Sequence, residues 1–414
     1  MTSFLRFGGA GAGVLVLLSW SCVNASQGHA ATLSAPVTVP FQSVRRLIVV
    51  DGRIGSSAPL AFIVDTGATP GIVDIDRARA LGLHLRGNIT VSGTGSAPST
   101  GAFVDGATAT IDGLPTTSAA LTIAMPLDRI SHRVGRRIDG ILGGDFLREF
   151  VAKVDYDAAL LTFFDRSAFQ YQGSGETLPL TFDGQGHPVV MGSMALPGRS
   201  PMPLRLFLDL GATGAVTLHA PFVTAHQLPL DEATTTRAMG AEGAGGRSTG
   251  RLARATTLSL GRATFENVPV VLSTDEGGVF AATDSDAHVG AQVMRRFTVF
   301  LDYAGRRLIL EPGTRAHDTF DPPSAGVMIS ADGDDFRRFQ VIDLDADGAA
   351  AQAGVRIGDI ILSLDDAPAS TLTLDDIVRR LERAQACRLV LQRADARLTL
   401  TVTPRIRWVR RADL

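Results

Sequence analysis

Lysine is almost missing. Lys153 is the single lysine among 39 basic residues, and the 414-residue chain has a formal net charge of -3. Charges so evenly balanced present no basic face to nucleic acid and imply no strongly acidic or basic partner. Cysteine is nearly as scarce, with only Cys22 and Cys387. If the N-terminus is removed as described below, one thiol remains, which excludes an internal disulfide and leaves Cys387 as a buried, inert side chain. The eight histidines include no His-Glu-x-x-His or comparable ligand spacing, so neither a metal nor another cofactor is expected. Asp343 to Gly348 imitates the start of a calcium loop, but Gly354 stands at the twelfth position, where a bidentate Glu is needed. Apolar runs are short. The longest candidate, Gly8 to Trp20 after Arg6, cannot span a bilayer and has the order of a secretory leader, with small residues before cleavage at Ala25 or Ala30. A leader of residues 1–30 predicts a periplasmic or secreted chain with no membrane span after its removal. Ser19-Trp20-Ser21 is a poor lipobox, so lipidation at Cys22 is disfavoured.

What is present is a repeat. Residues 59–69, Pro59-Leu60-Ala61-Phe62-Ile63-Val64-Asp65-Thr66-Gly67-Ala68-Thr69, return as Pro203-Leu204-Arg205-Leu206-Phe207-Leu208-Asp209-Leu210-Gly211-Ala212-Thr213. Each copy is an apolar strand that delivers an Asp into a tight loop. A second landmark, Ile138 to Phe150 with Asp155-Tyr156 behind it, recurs as His288-Val289-Gly290 with Asp302-Tyr303. The offsets are 144 residues (Asp65 to Asp209) and 147 (Asp155 to Asp302). So constant an offset over a whole unit means duplicated lobes. Within the first lobe, Ile48-Val49-Val50 and Leu60 to Val64 predict two strands around a turn at Asp51-Gly52, and Asp74 caps a short helix reaching Leu83. The Gly-rich stretches at 90–101 and Gly240 to Gly250 are candidate mobile hairpins. The lobes fall at 36–165 and 178–313, and a third unit with a helix over Leu374 to Ala386 falls at 324–404, after the Pro322-Pro323 linker.

Two carboxylates held close cannot both ionise, so the pair shares one proton, and one member can act as base while the other acts as acid. That is the chemistry of peptide hydrolysis without a metal or a covalent intermediate. Gly67 and Gly211 permit a tight turn and a close approach of the two loops. Thr69 and Thr213 put a hydroxyl near each of them.

The chain resembles the aspartic proteases of the pepsin and retropepsin clan, in particular bacterial two-lobed members with a C-terminal PDZ domain. The likeness rests on Asp65-Thr66-Gly67-Ala68-Thr69 with Ile141-Leu142-Gly143, and on Asp209-Leu210-Gly211-Ala212-Thr213 with Val289-Gly290. It implies a mainly β fold, with two duplicated β-barrel lobes and a small α+β PDZ domain. It also implies an exported aspartic endopeptidase in which Asp65 and Asp209 activate a water, supported by Thr66, Gly67, Thr69, Gly211 and Thr213. Protein or peptide is the expected substrate. The chain departs from the family at Leu210, where a hydroxyl normally bonds across to the opposite loop. Leu210 supports the alternative, a non-catalytic peptide-binding scaffold with a degenerate dyad. No flap tyrosine is evident, since Tyr156, Tyr171 and Tyr303 lie outside the Gly-rich hairpins. Ala68 and Ala212 stand where acid-active relatives carry hydroxyls, which predicts a raised dyad pKa and a less acidic optimum.

Ala353-Gly354-Val355-Arg356-Ile357-Gly358-Asp359-Ile360 resembles the signature of bacterial PDZ domains. By that likeness Gly326, Val327, Met328 and Ile329 form the carboxylate-binding loop and the edge strand that takes up a peptide C-terminus by strand addition. A domain that only packs against the lobes is the other reading, and Phe336 and Phe339 are pocket or core.

Overall fold

Leu60–Val64, the strand that leads to Asp65, is buried along its whole length. Burial on both faces explains why it reads as an unbroken apolar run instead of alternating. In this computed structural model, which describes residues 33–114, 118–232, 234–240, 242–243, 245–320 and 324–406, it lies between two partners. One is Leu47–Ile54, antiparallel with Val49 opposite Ile63; the other is Gly140–Leu142, parallel with Ile141 opposite Ile63. The expected leader with Cys22 and the Pro322-Pro323 pair lie outside the described residues.

The turn expected at Asp51-Gly52 is not there. Leu47–Ile54 runs straight through it, and the chain reverses after Gly55. Gly52 serves packing instead. A Cβ there would meet Thr110 O at 2.5 Å, so the glycine admits the neighbouring strand Thr108–Ile111. The expected helix forms over Ile75–Ala80, with the Asp74 side chain accepting from Arg77 N–H at its start.

Lobe 2 repeats the pattern. Met202–Leu208 pairs antiparallel with Pro188–Ala195 and parallel with Ala287–Val289. A third sheet belongs to both lobes, because Phe150–Asp155 pairs antiparallel with Phe297–Asp302. Its register matches Val151 with Asp302 and Asp155 with Thr298. Applying the 147-residue offset to one of these pairs produces the other, so the duplicated strands meet about a local two-fold axis. One apolar core runs through both lobes, and a separate core spans Ala325 to Val402 in the C-terminal domain.

The C-terminal sheet has the order Val327–Asp332, Arg338–Leu344, Ile360–Leu364, Cys387–Arg393, Ala396–Val402. Its helix, Leu374–Leu381, starts at a capping box of Thr373 and Asp376 and stops five residues before the expected Ala386. Arg380 explains the stop: its guanidinium bonds Gln385 O and Ala386 O and folds 382–386 into a turn. Phe339 and Cys387 are core, whereas Phe336 meets His132 of lobe 1 edge to face. Among the described residues no helix is long and apolar enough to cross a membrane.

Candidate active site

Both aspartates leave the end of a buried strand, and the strand beside each fixes its backbone. Asp65 N–H donates to Leu142 O and Asp209 N–H to Val289 O, each at 3.0 Å. One amide touches both carboxylates: Gly211 N–H lies 3.1 Å from Asp65 Oδ1 and 2.9 Å from Asp209 Oδ1. Gly67 N–H donates to Asp65 Oδ1 at 2.7 Å. A Cβ on Gly211 would lie 2.3 Å from Asp65 Oδ2, so any side chain there forces the carboxylates apart. Neither Gly67 nor Gly211 has a positive φ. Close approach, not backbone freedom, is what requires them.

The loops are locked together from one side. Thr66 is fully buried; its hydroxyl donates to Leu208 O at 2.5 Å and accepts from Leu210 N–H at 2.9 Å. Leu210 offers no reciprocal hydroxyl and packs into the common core. Half the lock is therefore intact with both of its bonds, and the other half is replaced by apolar packing.

The two carboxyls are driven in opposite directions. Burial, then the charge and hydrogen bond of Asp209, lift Asp65 to about 7 against the Gly67 and Gly211 amides. Burial also pushes Asp209 up, but the hydrogen bond and charge of His288, with the Gly211 and Ala212 amides, outweigh it and hold Asp209 below the ordinary carboxylate value. A pair split this way carries one proton, on Asp65.

The sequence matches the aspartyl protease family over residues 50–146 and 198–287, one segment in each lobe and each containing one of these aspartates. Residues 340–402 match the PDZ domain family. Both lobes thus match the aspartyl protease family. Among solved structures it is similar to an aspartic proteinase from Irpex lacteus, with 19% identity over 69% of this chain and 99% of that one at a TM-score of 0.40. It is also similar to basic 7S globulin from soybean, with 11% identity over 69% and 97% at 0.40. A photosystem II D1 C-terminal processing protease matches with 27% identity over 21% of this chain and 24% of that chain, at 0.19. No curated protein gives a match.

The second carboxylate has a partner that the sequence reading missed. His288 Nδ1 lies 2.8 Å from Asp209 Oδ2. The signal was present in the repeat itself, since the 147-residue offset puts His288 opposite apolar Ile141. The two threonines behave otherwise than expected. Thr69 Oγ1 donates to Ala68 O at 2.8 Å instead of reaching a carboxylate, and Thr213 is exposed.

The Gly-rich hairpins meet. The first is formed by Leu85–Val91 and Ser99–Val104, the second by Glu242–Gly243 and Gly246–Arg247. Ala97 N–H donates to Gly245 O at 3.0 Å, and Gly245 N–H to Thr94 O at 2.8 Å. Each hairpin comes from a different lobe, so these bonds join the lobes a second time.

In the PDZ domain, Gly326 turns at φ 71, where a Cβ would meet Asp345 and Gly348 at 3.0 Å. Val327 and Met328 are half-buried and Ile329 is buried, on the sheet's edge strand. That edge is already engaged by lobe 1. From the helix Asp128–Val134, Arg133 donates to Ile329 O at 2.9 Å, and just beyond it Gly135 packs on Leu374 at the start of the PDZ helix. Lobe 2 holds the same domain through Asp343, whose carboxylate pairs with Arg237 at 2.6 Å and with Arg247, in the second hairpin, at 3.3 Å.

Proposed function

We propose that the chain is an exported endopeptidase that hydrolyses peptide bonds with a water activated between Asp65 and Asp209. What carries the reading is the pair itself: two carboxylates on one shared amide, with pKa values pushed apart. Asp209, as the anion, takes the proton from water, and Asp65, still protonated, donates to the substrate carbonyl. The observation that favours the scaffold reading is Leu210, and the Thr66 lock weighs against it.

The assay that decides is cleavage of unfolded protein across pH by the chain lacking residues 1–30, beside Asp209→Asn. Expected are loss of cleavage in Asp209→Asn and a profile that peaks between about pH 5 and 7. Cleavage should decline as Asp65 loses its proton near pH 7. No cleavage by the unmutated chain supports the scaffold. Cleavage that survives Asp209→Asn points to two chains pairing their Asp65 loops, and a peak at about pH 2 to 3 overturns the raised-pKa reading.

We further propose that the PDZ domain gates the cleft. A peptide C-terminus can add to the edge Val327–Asp332 only if the helix Asp128–Val134 moves away. That helix also touches the second hairpin, where the Arg129 guanidinium lies against Gly246. PDZ occupancy and hairpin position are therefore coupled through one helix and through Asp343. Asp343→Asn, which weakens the anchors to Arg237 and Arg247, is expected to raise kcat/KM on a protein substrate about two- to fivefold, the equivalent of ~0.5–1 kcal/mol. An unchanged or lower value removes the gating role.

A further inference from the structure

Besides the one-sided Thr66 lock and the Gly211 amide that reaches both carboxylates, the lobes differ in the side chain that stands beside each Asp. At the middle of the strand that runs parallel to the Asp-bearing strand, lobe 1 has Ile141, buried and opposite Ile63. Lobe 2 has His288, buried and opposite Phe207. Asp65 is bonded by backbone amides and by Asp209. Asp209 is bonded by backbone amides, by Asp65 and, unlike Asp65, by an imidazole. From outside the pair, His288 is the one side chain that bonds either carboxylate among the described residues.

We infer that His288 is a positioning residue that assigns the roles within the pair, fixing Asp209 as the base and leaving the proton on Asp65. This rests on the hydrolytic reading above and deepens it. An ionised carboxylate only accepts hydrogen bonds, so the bond to Asp209 Oδ2 fixes the hydrogen on Nδ1 in either charge state of the ring. The ring cannot swing away. Phe207 and Phe280 meet it edge to face at centroid distances of 4.3 and 5.0 Å, and His219 lies 4.9 Å off. This is the arrangement by which a general base is oriented from behind, here with the imidazole supporting the carboxylate.

The titratable groups around the ring are few. On its open side is Asp209, with Asp65 beyond it. His219, in front of the helix Ala220–Ala225, is the second; burial, then the charge of His288, push it down to about 3, so it stays neutral. Its Nδ1 lies 3.2 Å from Ala282 O, and its Nε2 has no partner among the described residues. Asp286, on the approach to the same strand, is bound to Arg205. His187 stacks on the far side of Phe207 and is held by Asp183. Asp209 is thus the one acid in hydrogen-bond contact with His288 among the described residues.

Two substitutions separate this role from packing. His288→Ile installs the residue of lobe 1 and keeps an apolar cage. His288→Asn keeps an N–H near the Nδ1 position without a titrating ring. Removing the donor lets Asp209 rise, so in His288→Ile the acid limb of kcat/KM moves to higher pH by about one to two units, the size of one hydrogen bond to a charged group. The plateau kcat falls at least about tenfold while KM changes little. His288→Asn recovers most of the plateau and keeps the acid limb near its original place. An acid limb unmoved in an active, folded His288→Ile protein overturns the proposal, as does a His288→Asn variant no better than His288→Ile. A readout independent of turnover is the imidazole nitrogen spectrum of His288 across pH in the unmutated chain and in Asp209→Asn. The Nδ1–H signal of the bond to Asp209 should change when Asp209 is replaced; if it does not, the coupling is absent whether or not the chain hydrolyses peptides. If it does change in a chain that cleaves nothing, the hydrolytic reading fails and the coupling stands.

Discussion

Asp65→Asn is expected to lower peptide hydrolysis by on the order of 10³-fold or more and, in the same protein, to raise the thermal midpoint at pH 8. The first effect follows from loss of the acid. The second follows from burial, the largest cause of the Asp65 shift, and from the neighbouring Asp209 charge. The Asp65 carboxyl sits at about 7 in the folded chain against an ordinary value of 3.8. A raised acid contributes stability that is fully present below pH 4 and lost as pH rises through about 7. At pH 8 the folded chain therefore holds a charge that it binds poorly, and Asn does not. The interval of about three units sets an upper bound of about 4 kcal/mol. Half of that already corresponds to several degrees in Tm. Asn keeps an oxygen for the Gly67 and Gly211 amides and gains an N–H toward Asp209, so no bond is forfeited. Calorimetry at pH 4 and pH 8 checks the sign: a variant stabilised equally at both, or less at pH 8, contradicts the assignment of the proton to Asp65.

The second large effect is expected at Thr66. Val has nearly the same shape but no hydroxyl, so Thr66→Val leaves Leu208 C=O and Leu210 N–H buried and unpaired. Each orphaned group costs about 1–3 kcal/mol, giving a loss of about 2–6 kcal/mol, large against the whole stability of a domain. Leu210 cannot compensate, because its side chain is apolar and 1% exposed in the core. Activity should fall with stability, since the same two bonds set the distance between the Asp loops. Thr66→Ser retains the hydroxyl and should recover most of both. Urea unfolding beside a kinetic assay at a temperature where all variants are folded distinguishes the two losses. A Thr66→Val protein within about 0.5 kcal/mol of the unmutated chain would mean that packing around Leu210 alone holds the loops.

Much of the site was legible because it is written twice. The apolar strand, the Asp and the glycine two residues later appear in both copies, and the nearly constant offset identifies Asp65 with Asp209 before any coordinates are seen. The glycines were legible as needed: each loop turns tightly there and each admits a carboxylate at a distance that excludes a side chain. At Gly52 the sequence misled, since Asp-Gly reads as a hairpin turn while the residue in fact admits a neighbouring strand. His288 went unread because a lone histidine has no local pattern. Only the comparison with Ile141 makes it anomalous, and only the fold puts Asp209 beside it.

The sequence by itself determined the duplication, the strand-to-loop delivery of each Asp, the cap at Asp74 and the separate C-terminal domain. These depend on local propensity, period and repetition, all of which a chain carries along its own length. Tertiary structure decided what faces what. It brought one amide to both carboxylates, placed Thr66 across two backbone groups 142 and 144 residues away, put an imidazole behind one acid and not the other, and covered the PDZ edge with a lobe 1 helix. Such contacts depend on the register and packing of distant strands, and no single stretch of residues contains them.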